Sequence, residues 1–224
     1  MSVIRYAKFA AFMAGIVGLG VELAAERLLA PAFGTTLDLW SLIIGLTFAA
    51  LSLGYELGGR YIDRNPQSRF LGLCLFGAGV WSLGIAAFGR SIVFRIQEWT
   101  FDFGGVTFGI FLAVLILITV PPFLLGMITP AAIRLTVPAV GASGSSAGTI
   151  FALSTIGSLI GTFVPVLLLI PLLGVRMTFI LVGLTGILAA VPGLTGMAGG
   201  LAPAAVEEPA ATRDPAPAGS SSSS

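Results

Sequence analysis

The sequence has no histidine and only one cysteine among its 224 residues. Histidine is the commonest general base and metal ligand in proteins, so its absence removes the usual basis for both kinds of site. The cysteine, Cys74, lies in an apolar run, and alone it can form neither a disulfide framework nor a thiolate metal site. We therefore expect no metal, no cofactor and no catalytic centre in this chain.

Charge is also scarce. Only 9% of the residues are charged, compared with about 25% in a soluble domain, and 56% are hydrophobic. The formal net charge of +1 provides no basic surface for nucleic acid, so none is expected as a partner. A chain of this size cannot bury so much apolar surface in a core of its own, and its expected partner is a lipid bilayer.

Long uncharged runs locate the predicted membrane helices. One span needs about 20 apolar residues, and the runs predict six spans. They are expected near 9–30, 37–59, 70–89, within 103–133, 147–170 and 175–195. Mixed charges and aromatic residues over 90–104 predict a segment lying at the membrane surface. The predicted fold is an all-α polytopic membrane domain over 1–195, followed by a disordered Ala/Pro/Ser-rich tail over 196–224.

The stretch 54–69, GYELGGRYIDRNPQSR, joins two of these apolar runs. Its glycines allow helix ends to approach closely and Pro66 ends a continuous helix, so we expect a hairpin tip at one face of the bilayer. An ordinary loop carrying positive charge gives the same pattern. The tip resembles the Gly-x-x-x-Asp-Arg-x-x-x-Arg loop between helices 2 and 3 of major facilitator superfamily transporters. The matching residues are Gly59, Asp63, Arg64 and, one place late, Arg69.

A second resemblance covers roughly residues 10–190. It combines this loop with Glu22-x-x-x-x-Arg27-Leu28-Leu29 and with PPFLLGMITPAAIRL followed by GTIFALSTIGSLIGTFVPVLLLIPLLGVRMT. Together they resemble the membrane module of bacterial proteins that fuse a facilitator-like region to a spermidine-synthase-like domain. The resemblance implies half of a major facilitator fold, and hence a transport module acting as a homo-oligomer or with a second membrane subunit. The alternative is a non-catalytic anchor or regulatory subunit for a separately encoded synthase-like enzyme, because the synthase domain has no counterpart here.

Five ionisable residues are candidates for a substrate site or for ion pairs. They are Glu22, Glu26, Arg27, Glu56 and Arg60. A charge within the membrane costs about 2.5–3.5 kcal/mol on insertion scales. Glu22 and Glu26 share a helix face from which Arg27 is expected to point away, so one carboxylate should be protonated or paired with a cation from another helix. Glu56 and Arg60 have the spacing of a helical ion pair.

Two functions remain open for these groups. The first is a proton- or cation-coupled site at Glu22 or Glu26. The second is that they only fasten helices together near the membrane surface, and Glu22, the deepest of them, fits this role least well.

Two predicted helices contain residues that alter their packing. In helix 4, Pro121, Pro122 and Pro130 free backbone carbonyls, which predicts a break that either lines a cavity or only shapes the packing. In helix 5, small residues recur four positions apart, which is typical of a tight contact within the chain or with another copy. These are Gly157 and Gly161, and Ser154 and Ser158.

Six spans place both termini on one side. Seven arginines and lysines fall on the segments that share that side, and four fall on the other segments. Because cytoplasmic loops carry the excess of positive charge, both termini are predicted to be cytoplasmic in a bacterial inner (plasma) membrane.

Overall fold

The computed structural model describes residues 2–103, 105–137 and 143–196. Within these ranges the chain is almost entirely helical and has no strand. Its helices are α1 (Val3–Phe33), α2 (Leu37–Arg64), α3 (Ser68–Phe103), α4 (Gly105–Leu117), α5 (Val120–Gly126), α6 (Ile128–Thr136), α7 (Ser143–Val164) and α8 (Ile170–Leu194). A π-helical turn, Pro165–Leu169, joins α7 to α8. The tail predicted to be disordered lies outside the described residues, apart from Gly196.

Helices long and apolar enough to cross a membrane confirm an all-α polytopic membrane protein. Four such stretches are Val3–Phe33, Leu37–Arg64, Ser68–Thr100 and Gly144–Leu194. A fifth candidate span consists of α4 and the α5–α6 segment, and α4 is bent by 47° relative to that segment. The last of the four stretches is 51 residues long and contains a non-helical residue, Gly174, with φ 82° and ψ 167°.

This last stretch runs along the bundle twice, in opposite directions, so the described residues form six helical passes. The backbone of Gly157 in α7 lies against Phe12 and that of Gly161 lies against Ile16, so α7 runs parallel to α1. After Gly174 the direction is reversed, because Tyr6 contacts the end of α8 at Ala190, with its hydroxyl 3.4 Å from the Ala190 carbonyl oxygen. The beginning of α1 and the end of α8 therefore lie at the same end of the bundle.

Helix α1 is the central element of the bundle and contacts every other helix. The Ser2 side chain caps its first turn by accepting a hydrogen bond from the Arg5 amide at 3.4 Å. Its buried face is rich in alanine and glycine, so neighbouring helices can approach closely. Because of this close packing, α1 fixes the relative positions of the other spans.

The hairpin tip is shorter than the sequence predicts. Helix α2 continues through Gly58 and Gly59 as far as Arg64, so only residues 65–67 form the turn. A glycine inside a helix costs about 1 kcal/mol relative to alanine. Here the lack of a side chain allows the backbone of Gly58 to pack directly against Met127, and this tertiary contact outweighs the propensity.

The predicted surface segment at 90–104 is wrong for its described residues, since α3 continues without interruption to Phe103. No glycine or proline occurs over 90–103 to stop it. Val93, Ile96 and Thr100 are buried on one face, and the Gln97 amide donates to the Ala32 carbonyl at 2.7 Å. These contacts hold the segment as the last turns of a long helix.

Candidate functional site

A cavity of about 120 Å³ lies among the spans, between α1, α2, the α5–α6 segment and α7. Its polar lining consists of Glu22, Thr47, Tyr55, Thr129, Ser154 and Ser158. Polar and ionisable side chains inside a membrane bundle generally face a water-filled space or a ligand pathway. The cavity is therefore the candidate site of this protein.

Glu22 is the ionisable residue of the cavity. Its side chain is half-buried, and within the described ranges its carboxyl group forms neither an ion pair nor a hydrogen bond. Of the two alternatives for this carboxyl group, protonation or pairing with a cation from another helix, the described residues show no such pair. Glu22 lies about three turns before the end of α1, so it is well separated from the end of the helix. A carboxyl group at this depth with no protein partner is available to a proton or another cation.

Thr47 is the least accessible polar group of the cavity. It is 4% exposed. Among the buried side-chain polar groups of the described residues, its hydroxyl is the one that has no hydrogen-bond partner. Nine other threonines donate to the carbonyl four residues earlier, so the missing bond is not a general property of helical threonine here. A buried hydroxyl without a partner costs about 1–3 kcal/mol. Water or a ligand in the cavity can supply the partner.

The helix break between α4 and α5 forms one wall. Pro121 has no amide hydrogen and its ring excludes the carbonyl of Leu117, so the helix is interrupted at residues 118 and 119. The Trp81 indole donates to the freed Leu117 carbonyl at 2.9 Å. Pro122 lines the cavity beyond the break. Of the two accounts of these prolines, the cavity-lining break agrees with the structure.

Pro130 accompanies a second interruption, at Met127, between α5 and α6. It removes the hydrogen bond that the Gly126 carbonyl would accept in a continuous helix. Thr129 lies on this irregular segment and lines the cavity, and its hydroxyl forms no hydrogen bond within the described ranges. The two interruptions place backbone and side-chain polar groups beside the cavity.

Glycines set the width of the cavity. A methyl group on Gly15 would overlap the backbone of Ser154 and Ser158, so α1 and α7 touch backbone to backbone at that level. Gly157 and Gly161 form the α7 side of the same contact, as their spacing predicts. The contact brings Ser154 and Ser158 to the cavity wall.

The other predicted carboxylates are paired and do not line the cavity. Glu26 is buried and its carboxylate lies 3.2 Å from the Arg27 guanidinium, so the expectation that Arg27 points away from it is wrong. The Glu56 and Arg60 side chains form the predicted pair at 2.5 Å, with both largely exposed. Exposed pairs of this kind contribute about 0–1 kcal/mol.

The loop motif joins helices and does not line the cavity. Asp63 lies 3.4 Å from Arg134, which connects the end of α2 to α6. Arg64, the neighbouring residue of the motif, forms no ion pair in the described structure. Gly59 packs beside Pro130, and Arg69 lies in the first turn of α3, near the end of α8.

The sequence identifies only part of this site. Glu22 is identified by its depth, whereas Thr47 and Tyr55 carry no signal that distinguishes them. No group of histidine, cysteine or acidic residues within the described ranges could hold a metal ion. Neither a family model, nor a curated protein, nor a solved structure matches this chain.

Proposed function

We propose that this protein is a facilitator-type transport module in which Glu22 binds a small cation, either a proton or a sodium ion. The observation that supports the proposal is the unpaired Glu22 carboxyl group in the same cavity as the unpartnered Thr47 hydroxyl. Carboxylate and hydroxyl oxygens suit hard cations. Binding a cation neutralises Glu22, which lowers the cost of its place within the membrane.

The broken helix supports the same proposal. Discontinuous helices beside a midplane site are typical of secondary transporters, where they supply free backbone groups and a movable wall. A facilitator transporter needs two six-helix halves around one site. We infer that this chain acts in the bacterial inner membrane as a homo-oligomer or with a second membrane subunit.

The cation site can be tested without a known substrate. A hydrophobic carbodiimide reacts with protonated carboxyl groups inside membranes, and the modified residue can be identified by mass spectrometry of peptides. In protein reconstituted into nanodiscs we expect modification at Glu22, decreasing as the pH rises, and also decreasing with added sodium if sodium is the ligand. Glu56 is the internal control, because its carboxylate is exposed and paired with Arg60.

Glu22→Gln should abolish the modification while leaving the protein folded, since glutamine resembles the protonated side chain. A Glu22 that is unreactive at every pH would contradict the proposal. The alternative function, an anchor for a synthase-like enzyme, requires no cation at Glu22. It predicts instead that such an enzyme copurifies with the protein from native membranes and remains bound to the Glu22→Gln variant.

A further inference from the structure

A second cavity, of about 580 Å³, lies at the opposite end of the bundle from the beginning of α1 and the end of α8, where the chain reverses direction at Gly174. Three arginines from three different helices line it: Arg27 of α1, Arg90 of α3 and Arg176 of α8. No carboxylate lines it in the part of the chain that the structure describes.

The positive charge of this cavity is only partly compensated. Glu26 pairs with Arg27 at 3.2 Å. The Arg90 guanidinium lies 5.8 Å from the ring centre of Phe94, a distance that allows a cation–π contact but supplies no negative charge. Arg176 forms no ion pair within the described ranges. Two positive charges therefore remain without a counter-charge, and their mutual repulsion favours an anion between them.

Packing contacts hold the three arginines around the cavity. Leu28 lies against Gly89, which packs α1 against α3 next to the cavity residues Arg27 and Arg90. The Ser82 hydroxyl of α3 donates to the Phe179 carbonyl of α8 at 2.9 Å, one turn from Arg176. These contacts join α1, α3 and α8 at the level of the cavity.

Gly174 adds a second feature that favours an anion. Its positive φ interrupts the helix, so a new helical segment of about 20 residues begins at Val175. The first amides of such a segment have no helical acceptor and carry partial positive charge. Gly174, Val175 and Arg176 all line the cavity, so this helix start lies beside the arginines.

We propose that the cavity binds a phosphate group between Arg27, Arg90 and Arg176. The guanidinium group is planar and presents paired donors that match phosphate oxygens, and a helix start contributes further donors. Apolar residues such as Leu173 and Phe179 form the remaining wall, which suits an organic group attached to the phosphate. The phosphate can belong to the headgroup of an anionic phospholipid or to a soluble phosphate compound. The proposal does not depend on the cation site at Glu22.

The test uses the full chain in nanodiscs of phosphatidylcholine, with thermal unfolding as the readout. In one arm phosphatidylglycerol is added to the bilayer, and in the other inorganic phosphate is added to the buffer. Stabilisation by phosphatidylglycerol alone assigns the site to a lipid headgroup, and stabilisation by inorganic phosphate assigns it to a soluble compound. The absence of stabilisation in both arms would overturn the proposal.

Two variants identify the site. Arg176→Gln should lower the affinity for the stabilising ligand about tenfold, because a hydrogen bond between charged groups is lost. Arg95→Gln removes the same charge from α3 at a position outside the cavity lining and should leave the affinity unchanged. Equal weakening in both variants would show a response to total charge and reject the site. Arg176→Lys, which keeps the charge but not the paired donors, covers the case in which the glutamine variant does not fold.

Discussion

At the scale of single residues, the candidate site consists of polar groups whose usual partners are missing. In a membrane helix, a threonine hydroxyl normally donates a hydrogen bond to the carbonyl four residues earlier in the same helix. Thr136 does so to the Ala132 carbonyl at 2.9 Å. Thr47 does not, although it is just as buried. The sequence cannot distinguish these two threonines, because the difference depends on which neighbouring helix faces each one.

Replacing Thr47 by valine tests whether its hydroxyl has a hydrogen-bond partner in the protein without a ligand. An apolar group of the same shape removes an unpartnered hydroxyl, so the free energy of unfolding should stay the same or rise by up to about 1 kcal/mol. Thr136→Val is the matched control and should lower it by about 1 kcal/mol, because a formed hydrogen bond is lost. The measurement is unfolding in mixed detergent micelles. A clear loss of stability in Thr47→Val would mean that water or protein satisfies the hydroxyl.

At the scale of helices, the sequence predicts the bounds of a helix correctly where its local residue preferences agree with the packing of the folded bundle. The uncharged runs located the six helical passes of the described residues, since a run of about 20 apolar residues is long enough to cross a bilayer. The ends of α2 and α3 were predicted too early, because Gly58 and the charges after residue 89 favour a turn or a surface segment. Backbone packing at Gly58 and burial of Val93 and Ile96 override those preferences, and such contacts cannot be read from a single sequence.

The contact between α1 and α7 gives a prediction for one helix. Gly157→Leu should force the two backbones apart and destabilise the protein by several kcal/mol, because the added side chain would overlap the Phe12 carbonyl. Gly148→Leu lies on the same helix with nothing near the added group, and should leave stability unchanged or raise it by up to about 1 kcal/mol, because leucine has the higher helix propensity. Both are measured by unfolding under identical conditions. Similar stability in the two variants would exclude a backbone contact at Gly157.

At the scale of the whole molecule, the bundle has two chemically different ends. The end that carries the beginning of α1 and the end of α8 also carries the turn after α2 and the Asp63–Arg134 pair. The other end carries the cavity lined by three arginines. The number of passes follows from the contacts, whereas the side of the membrane that each end faces remains a prediction based on the count of basic residues.

Single cysteines can test that orientation. In a Cys74→Ala background, Ser2→Cys and Thr195→Cys should react with an impermeant maleimide only after the cells are opened, because both ends are predicted to be cytoplasmic. Thr35→Cys, in the turn between α1 and α2, should react in intact cells. The reverse pattern would mean that the bundle is inserted the other way round.

The parallel contact between α1 and α7 has a consequence for biosynthesis. About 100 residues separate the end of α1 from the start of α7, so α1 leaves the ribosome on the order of 5–20 s before its main neighbour at ordinary rates of synthesis. During that interval its glycine face and Glu22 have no α7 to cover them. Lipid or the helices made in between must therefore cover this face of α1 at first, and the main contact of α1 forms only after α7 has been made.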